Sequence, residues 1–163
     1  MKEIIEHHQN GNIYKKYFEN EDLLKEGLYE EFYESGKLGS RCLCKDDKFD
    51  GLFEEFYESG NLMIKCLYKD DEIQGLFEEF LDTGILCHKI NFKDGMMEGL
   101  KEDFYETGKL YIRCNCKNDK LHGMYEEFSE TGELEKQLYY ENGIDISKFY
   151  FRELNLDKIL SLC

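Results

Sequence analysis

Four histidines, seven cysteines and thirty-six carboxylates are the groups in this 163-residue chain able to hold a metal or move a proton. Cys42-x-Cys44 and Cys114-x-Cys116 look like two halves of a zinc site. His7 and His8 are adjacent, which on a strand sends them to opposite faces, and His88 and His122 stand far apart in the chain. Carboxylates come in pairs that suggest acid–base work, such as Glu30-Glu31 and Glu54-Glu55. The sequence contains no P-loop, nucleophile elbow, H-E-x-x-H or EF-hand loop.

Spacing decides what these groups mean. The segments Gly27–Gly36 and Gly51–Gly60 are nearly identical, and the pattern returns at Gly75, Gly99 and Gly123, each 24 residues on. A second glycine follows nine residues later in every unit, at Gly36, Gly60, Gly84, Gly108 and Gly132. Self-similarity of this kind marks a repeat array. The units span 27–50, 51–74, 75–98, 99–122 and 123–146. A degenerate unit at 2–26 precedes them and a C-terminal cap, 147–163, follows, all forming one repeat domain.

Eight residues between glycines is short for a stable helix, and Tyr and Phe favour strands. The chain has no alanine, the best helix former. The Ser/Thr-Gly step reads as a hairpin turn. Beyond it Leu62, Ile64, Cys66 and Tyr68 alternate with Met63, Lys65 and Leu67, as on a strand. Polar turns such as Lys45–Lys48 close each unit. The predicted fold is all-β: an elongated, twisted antiparallel β-meander of repeated hairpins. Residues 147–151 are expected as a last strand, followed by a short capping helix near 153–162.

In such an array sequence positions become columns. Phe32, Phe56, Phe80, Phe104 and Phe128 form one, Leu38, Leu62, Leu86, Leu110 and Leu134 a second, and Cys42, Cys66, Ile90, Cys114 and Leu138 a third; all three are expected inside. Cysteine trading places with Ile and Leu is acting as a small hydrophobe. The two Cys-x-Cys pairs lie three units apart, about 30 Å at two strands per unit, beyond the reach of one zinc ion. Neither a metal site nor a cofactor is expected. The thiols are expected reduced, with Cys163 free and exposed. A catalytic site is normally singular, so carboxylates repeated in every unit point to a surface and not to an enzyme.

Acidic columns carry the charge. Glu30, Glu54, Glu78, Glu102 and Glu126 form the first, Glu31, Glu55, Glu79, Asp103 and Glu127 the second, and Glu34, Glu58, Asp82, Glu106 and Glu130 the third. These fifteen acids equal the formal net charge of −15, the rest of the chain being balanced. With the turn centred on Ser35-Gly36, the first column lies opposite Arg41, Lys65, Lys89 and Arg113, and is expected to be structural. The second and third columns have no such partners. The second shares a face with Tyr33, Tyr57 and Tyr105, a set of aromatic anchors among carboxylates. The charge opposes unaided binding to nucleic acid or to an anionic membrane. No apolar run is long enough to span a bilayer, and the N-terminus has no signal segment, so a cytoplasmic location is expected.

The pattern G-x-[YF]-x-x-[YF]-[YF]-x-x-G-x-L followed by K-x-[DG]-x-x-x-G resembles the MORN repeat in its bacterial variant form, over roughly residues 2–146. Ser/Thr-Gly stands in place of the usual Asn-Gly, and there is no Trp. The resemblance implies the hairpin array and, in bacteria, antitoxins or immunity proteins beside polymorphic toxins. The expected function is therefore a non-catalytic module that inhibits a basic, nucleic-acid-acting partner. That partner is a toxin, or a host defence nuclease blocked by a phage-encoded inhibitor such as an anti-CRISPR. The alternative is a structural or scaffold repeat protein that does not inhibit.

Overall fold

The structure is a computed structural model, and it describes residues 1–152. Its strands are β1 (Lys2–His7), β2 (Ile13–Glu19), β3 (Gly27–Phe32), β4 (Leu38–Lys45), β5 (Lys48–Phe49), β6 (Gly51–Phe56), β7 (Leu62–Lys69), β8 (Glu72–Phe80), β9 (Leu86–Lys93), β10 (Met96–Phe104), β11 (Leu110–Lys117), β12 (Lys120–Phe128), β13 (Leu134–Glu141) and β14 (Ile144–Asp145). They form one antiparallel sheet in chain order, with β5 paired to β4 beside the main path. The sheet does not close on itself.

Two kinds of turn alternate. Gly36 donates its N–H to the Tyr33 carbonyl at 2.8 Å, and Tyr33 donates to Lys37 at 2.9 Å. Gly36 has φ +84°, where a side chain would be strained, so this is a type I turn completed by a left-handed glycine. The same bonds recur at Tyr57, Leu81, Tyr105 and Ser129. At the other end two consecutive residues take positive φ, as in Asp46 (48°) and Asp47 (67°), which is the type I′ hairpin. Asp and Asn tolerate that region better than other non-glycine residues. The turn tips also stack: Asp47, Asp71, Gly95, Asp119 and Gly143 each donate an N–H to the unit before.

A β-bulge sits beside each type I turn. Phe32 pairs with Leu38 but Glu31 with Ser40, leaving Gly39 unopposed, and the shift repeats through the array. The first glycine of each unit lies at positive φ within or next to a strand and interrupts the ladder to the preceding unit. Bulges and glycine kinks bend strands and raise twist. Only one sheet is present among the described residues, so shelter for its buried side chains comes from this curvature.

That shelter falls on one face. Tyr29, Cys42, Cys44, Cys66, Cys114 and Cys116 are the buried apolar residues, and all project to the same side. Phe49 joins them, its ring 5.7 Å from Tyr29 and Tyr68 and 6.0 Å from Phe53. The cysteine column is therefore interior, and the six described cysteines are free thiols. The Phe32 and Leu38 columns correct the sequence reading. They are half-buried, with Leu134 exposed, because the Phe32 column lies on the opposite, less sheltered face. There Arg41 and Arg113 lie over Phe56 and Phe128.

The expected last strand at 147–151 is a second correction. A helix, α1 (147–152), opens there instead. Asp145 accepts the Ser147 N–H at 2.9 Å, and Tyr150 donates to the Ile146 carbonyl at 3.0 Å, starting the helix. The helix covers the sheet edge where β14 ends: Ser147 Oγ accepts the Tyr139 N–H at 2.7 Å, and Ile146 donates to the Tyr139 carbonyl. Tyr150 stacks on Tyr139 with centroids 3.5 Å apart. The capping helix expected near 153–162 and Cys163 lie outside the described residues.

Candidate protein-binding face

Strand register assembles the second acidic column into one row across the sheet. Lys15, Glu31, Ser40, Glu55, Ile64, Glu79, His88, Asp103, Ile112, Glu127 and Lys136 are successive cross-strand partners on the face that holds the core. Neighbours in such a row are near enough to interact directly. The opposite face carries a second row: Lys16, Glu30, Arg41, Glu54, Lys65, Glu78, Lys89, Glu102, Arg113, Glu126 and Gln137. Its charges alternate in sign up to Glu126. The predicted pairing of the first column is therefore met, and from both sides. Arg41 reaches Glu54 at 2.6 Å, and Arg113 reaches Glu102 at 3.3 Å and Glu126 at 3.9 Å.

The second column is not uniformly unpartnered, contrary to the sequence reading. Lys15 pairs with Glu31 at 2.9 Å, and the Tyr29 hydroxyl donates to the same carboxylate. Burial works against ionising Glu31, yet Tyr29 and Lys15 together outweigh it and hold its pKa below the usual range. Burial and the bond to Glu31 push Tyr29 up to about 12. Asp103 is 8% exposed, bonded by Lys101 at 2.5 Å and His88 Nδ1 at 2.7 Å. Glu127 faces Lys136 at 3.9 Å and the Tyr111 hydroxyl at 3.4 Å. Lys15 and His88 come from the neighbouring unit and Lys101 from two residues along the strand, which unit-by-unit hairpin pairing does not reveal; Lys136 stands opposite Glu127 within one hairpin and contradicts the sequence reading directly.

Glu55 and Glu79 remain. Among the described residues neither carboxylate forms an ion pair. Burial, then the Glu31 and Glu79 carboxylates on either side, raise the pKa of Glu55. This is a half-buried like-charge cluster whose central carboxylate, Glu55, has no counter-ion among the described residues.

Beside it lies a cleft of about 330 Å³, bordered by His8, Tyr14, Glu31, Tyr33, Ser40 and Glu55. Its opening follows from the bulge. The unopposed bulge residue projects onto this face and is Tyr14, Met63, Cys87, Tyr111 or Glu135 in other hairpins, but Gly39 here. A Cβ at Gly39 would meet the Glu31 carbonyl at 3.4 Å and the Tyr33 ring at 3.5 Å, so a side chain would fill the cleft.

The tyrosines predicted as anchors share this face. Their hydroxyls are engaged: Tyr33, Tyr57 and Tyr105 donate to the carbonyls of Phe56, Phe80 and Phe128 at 2.6, 2.9 and 2.8 Å, tying each unit to the next. Only their ring surfaces are left for contact. The third acidic column, Glu34, Glu58, Asp82, Glu106 and Glu130, is exposed along the turn edge. Most of its backbone carbonyls accept bonds from Asn12, Lys37, Asn61 and Lys109 of the unit before. Those bonds hold the turns in line and leave most of the carboxylates in solvent; Asp82 also accepts from Ser59.

Cys87 is not poised as a thiol nucleophile. Cys87 stands near His88, but burial and the Glu79 carboxylate push its thiol pKa up, away from the thiolate. No helix among the described residues is long and apolar enough to cross a membrane.

The MORN repeat variant family matches residues 25–38, 49–70, 97–118 and 121–142. No curated protein matches the chain. The matched segments fall on successive hairpins of the one sheet, and the hairpins between them repeat the same turns and bulges. The chain carries MORN repeats of the variant type in these four segments.

Proposed function

We propose that this repeat protein-interaction module is non-catalytic and captures a basic protein on its acidic row, blocking a toxin or another nucleic-acid-acting enzyme. The observation that carries the reading is the Gly39 cleft. It offers Tyr14 and Tyr33 rings together with the Glu31 and Glu55 carboxylates, and Glu55 has no cation of its own. An arginine or lysine side chain entering there would neutralise Glu55 and lie against aromatic surface. The exposed third column, above all Glu34 and Glu58, would steer the partner in. A basic nucleic-acid groove is complementary to such a row, and its occupation would exclude the nucleic acid. The immunity, antitoxin and phage-inhibitor roles all belong to this reading, with the cytoplasm as the site of action.

The test compares wild type with the variant Glu34→Lys/Glu55→Lys/Glu58→Lys as immobilised bait. Wild type is expected to retain a basic protein that elutes with salt and whose nucleic-acid activity is lost while bound. The triple variant is expected to lose it. A partner held equally by both baits contradicts the acidic-face reading. One that keeps full activity while bound moves the scaffold role ahead.

A further inference from the structure

We propose that Glu79, Cys87 and His88 form a binding site for one divalent transition-metal ion, with zinc the best match. One candidate ligand atom from each residue lies within 4.8 Å of the other two. The backbone explains how adjacent residues converge. On a regular strand Cys87 and His88 would face opposite ways. Here the bulge places Leu86 opposite Phe80 and His88 opposite Glu79, so Cys87 is the unopposed residue. It turns onto the face that His88 already occupies, and its thiol reaches the Glu79 carbonyl at 3.2 Å.

A second feature favours a ligand role for His88. Its Nδ1 is bonded to Asp103 Oδ1 at 2.7 Å, and Asp103 is itself held by Lys101. A carboxylate on one imidazole nitrogen orients the ring and leaves Nε2 as the metal-binding nitrogen. Thiolate, imidazole and carboxylate suit zinc, with water as fourth ligand. Binding forms a metal–sulfur bond and releases the Cys87 proton to water, so affinity rises with pH. The His88 side chain is 43% exposed, which gives the ion a route in.

The array supplies its own control. Every hairpin closed by a type I turn has the bulge, yet the positions of Cys87 and His88 are Tyr14 and Lys15, Gly39 and Ser40, Met63 and Ile64, Tyr111 and Ile112, or Glu135 and Lys136 elsewhere. The three donors meet in one unit only, whereas the repeated features are structural. The site shares no residue with the lining of the Gly39 cleft, and its test does not depend on the partner-binding reading.

The experiment uses the full, reduced chain freed of metal by chelator and dialysis. Titration with Co²⁺ is expected to saturate near one equivalent with a thiolate-to-cobalt charge-transfer band that Zn²⁺ then bleaches. Cys87→Ser should abolish the band, His88→Gln should weaken binding, and Asp103→Asn should weaken it by about 10–100-fold, as for other outer-shell carboxylates. His122→Gln should change nothing. Zn²⁺ should also slow alkylation of Cys87 by iodoacetamide in the wild-type protein, a readout that needs no folded variant. Absence of the thiolate band, its survival in Cys87→Ser, or alkylation of Cys87 at one rate with and without Zn²⁺ overturns the proposal.

Discussion

The two faces of the sheet carry acidic columns one residue apart in sequence, yet they treat their charges oppositely. On the outer face each carboxylate from Glu30 to Glu102 stands between two bases, so the row is a self-neutralising ladder. On the inner face Lys15 and Lys136 stand at the two ends with Ser40, Ile64, His88 and Ile112 between them, and among the described residues bases reach only Glu31, Asp103 and Glu127. Pairing makes the difference, since Glu54, Glu102 and Asp103 are sheltered alike, with side chains 15, 13 and 12% exposed. A sheltered charge must find a partner or lose ionisation, and the outer row supplies one on each side. The outer row can hold the array in register, and the inner row is left with affinity for cations.

The sharpest way to break this comparison is to delete one carboxylate from each row of the same strand. Asp103→Ala leaves Lys101 and His88 without their anion, and should destabilise by about 2–3 kcal/mol, less than a fully buried pair because Lys101 is 26% exposed. Denaturant unfolding measures it. Glu102→Ala, facing Lys89 and Arg113, should cost about 0.2–1 kcal/mol by the same measurement. Equal costs would mean that Arg113, 47% exposed, holds its carboxylate as firmly as Lys101, 26% exposed, holds Asp103.

A second contrast lies within the outer row. Arg41→Glu puts a third acid between Glu30 and Glu54 and should lower the melting temperature more than Arg41→Ala, which only removes the 2.6 Å pair. Added salt should narrow that gap, since it screens exposed charges. A gap that salt leaves unchanged would refute the ladder.

The smallest effect concerns Glu31 and Glu55, successive acids of the inner row. Glu31 is held below its unfolded pKa, so its contribution to stability is complete above the unfolded value and is lost as pH falls through the folded one. Glu55 is held above its unfolded value, so ionising it costs stability at neutral pH, and the cost is relieved as pH falls through its folded pKa. Carboxyl NMR titration should therefore find Glu31 below and Glu55 above the usual glutamate range. Glu55→Gln should raise the melting temperature slightly at pH 7 and leave it unchanged at acid pH.

The inner cleft shows what was and was not legible beforehand. That Glu55 shares a face with Tyr33 followed from alternation alone. That Glu31 has Lys15 did not, because Lys15 lies in the degenerate first unit, whose register follows from pairing between units. The bulge was equally hidden. It leaves no mark of its own in the residue pattern, yet it turns Tyr14, Gly39 and Cys87 onto the inner face and so makes both the cleft and the Glu79–Cys87–His88 cluster.

The amino-acid sequence by itself determined the period, the hairpins, their two turns and the charge pairs within each outer-row hairpin. These are local: glycine, Asp and Asn select the turns, and a turn sets the register of its own two strands. Only the tertiary structure decided which face is buried, for a single sheet with apolar side chains on both sides has no preferred inside until it bends. Glycine kinks and bulges bend it toward the cysteine side, leaving the Phe32 and Leu38 columns half-exposed and burying Asp103 of the second acidic column. That curvature, a sum of small rotations over many strands, separates a neutral ladder from a row of carboxylates that lacks its cations.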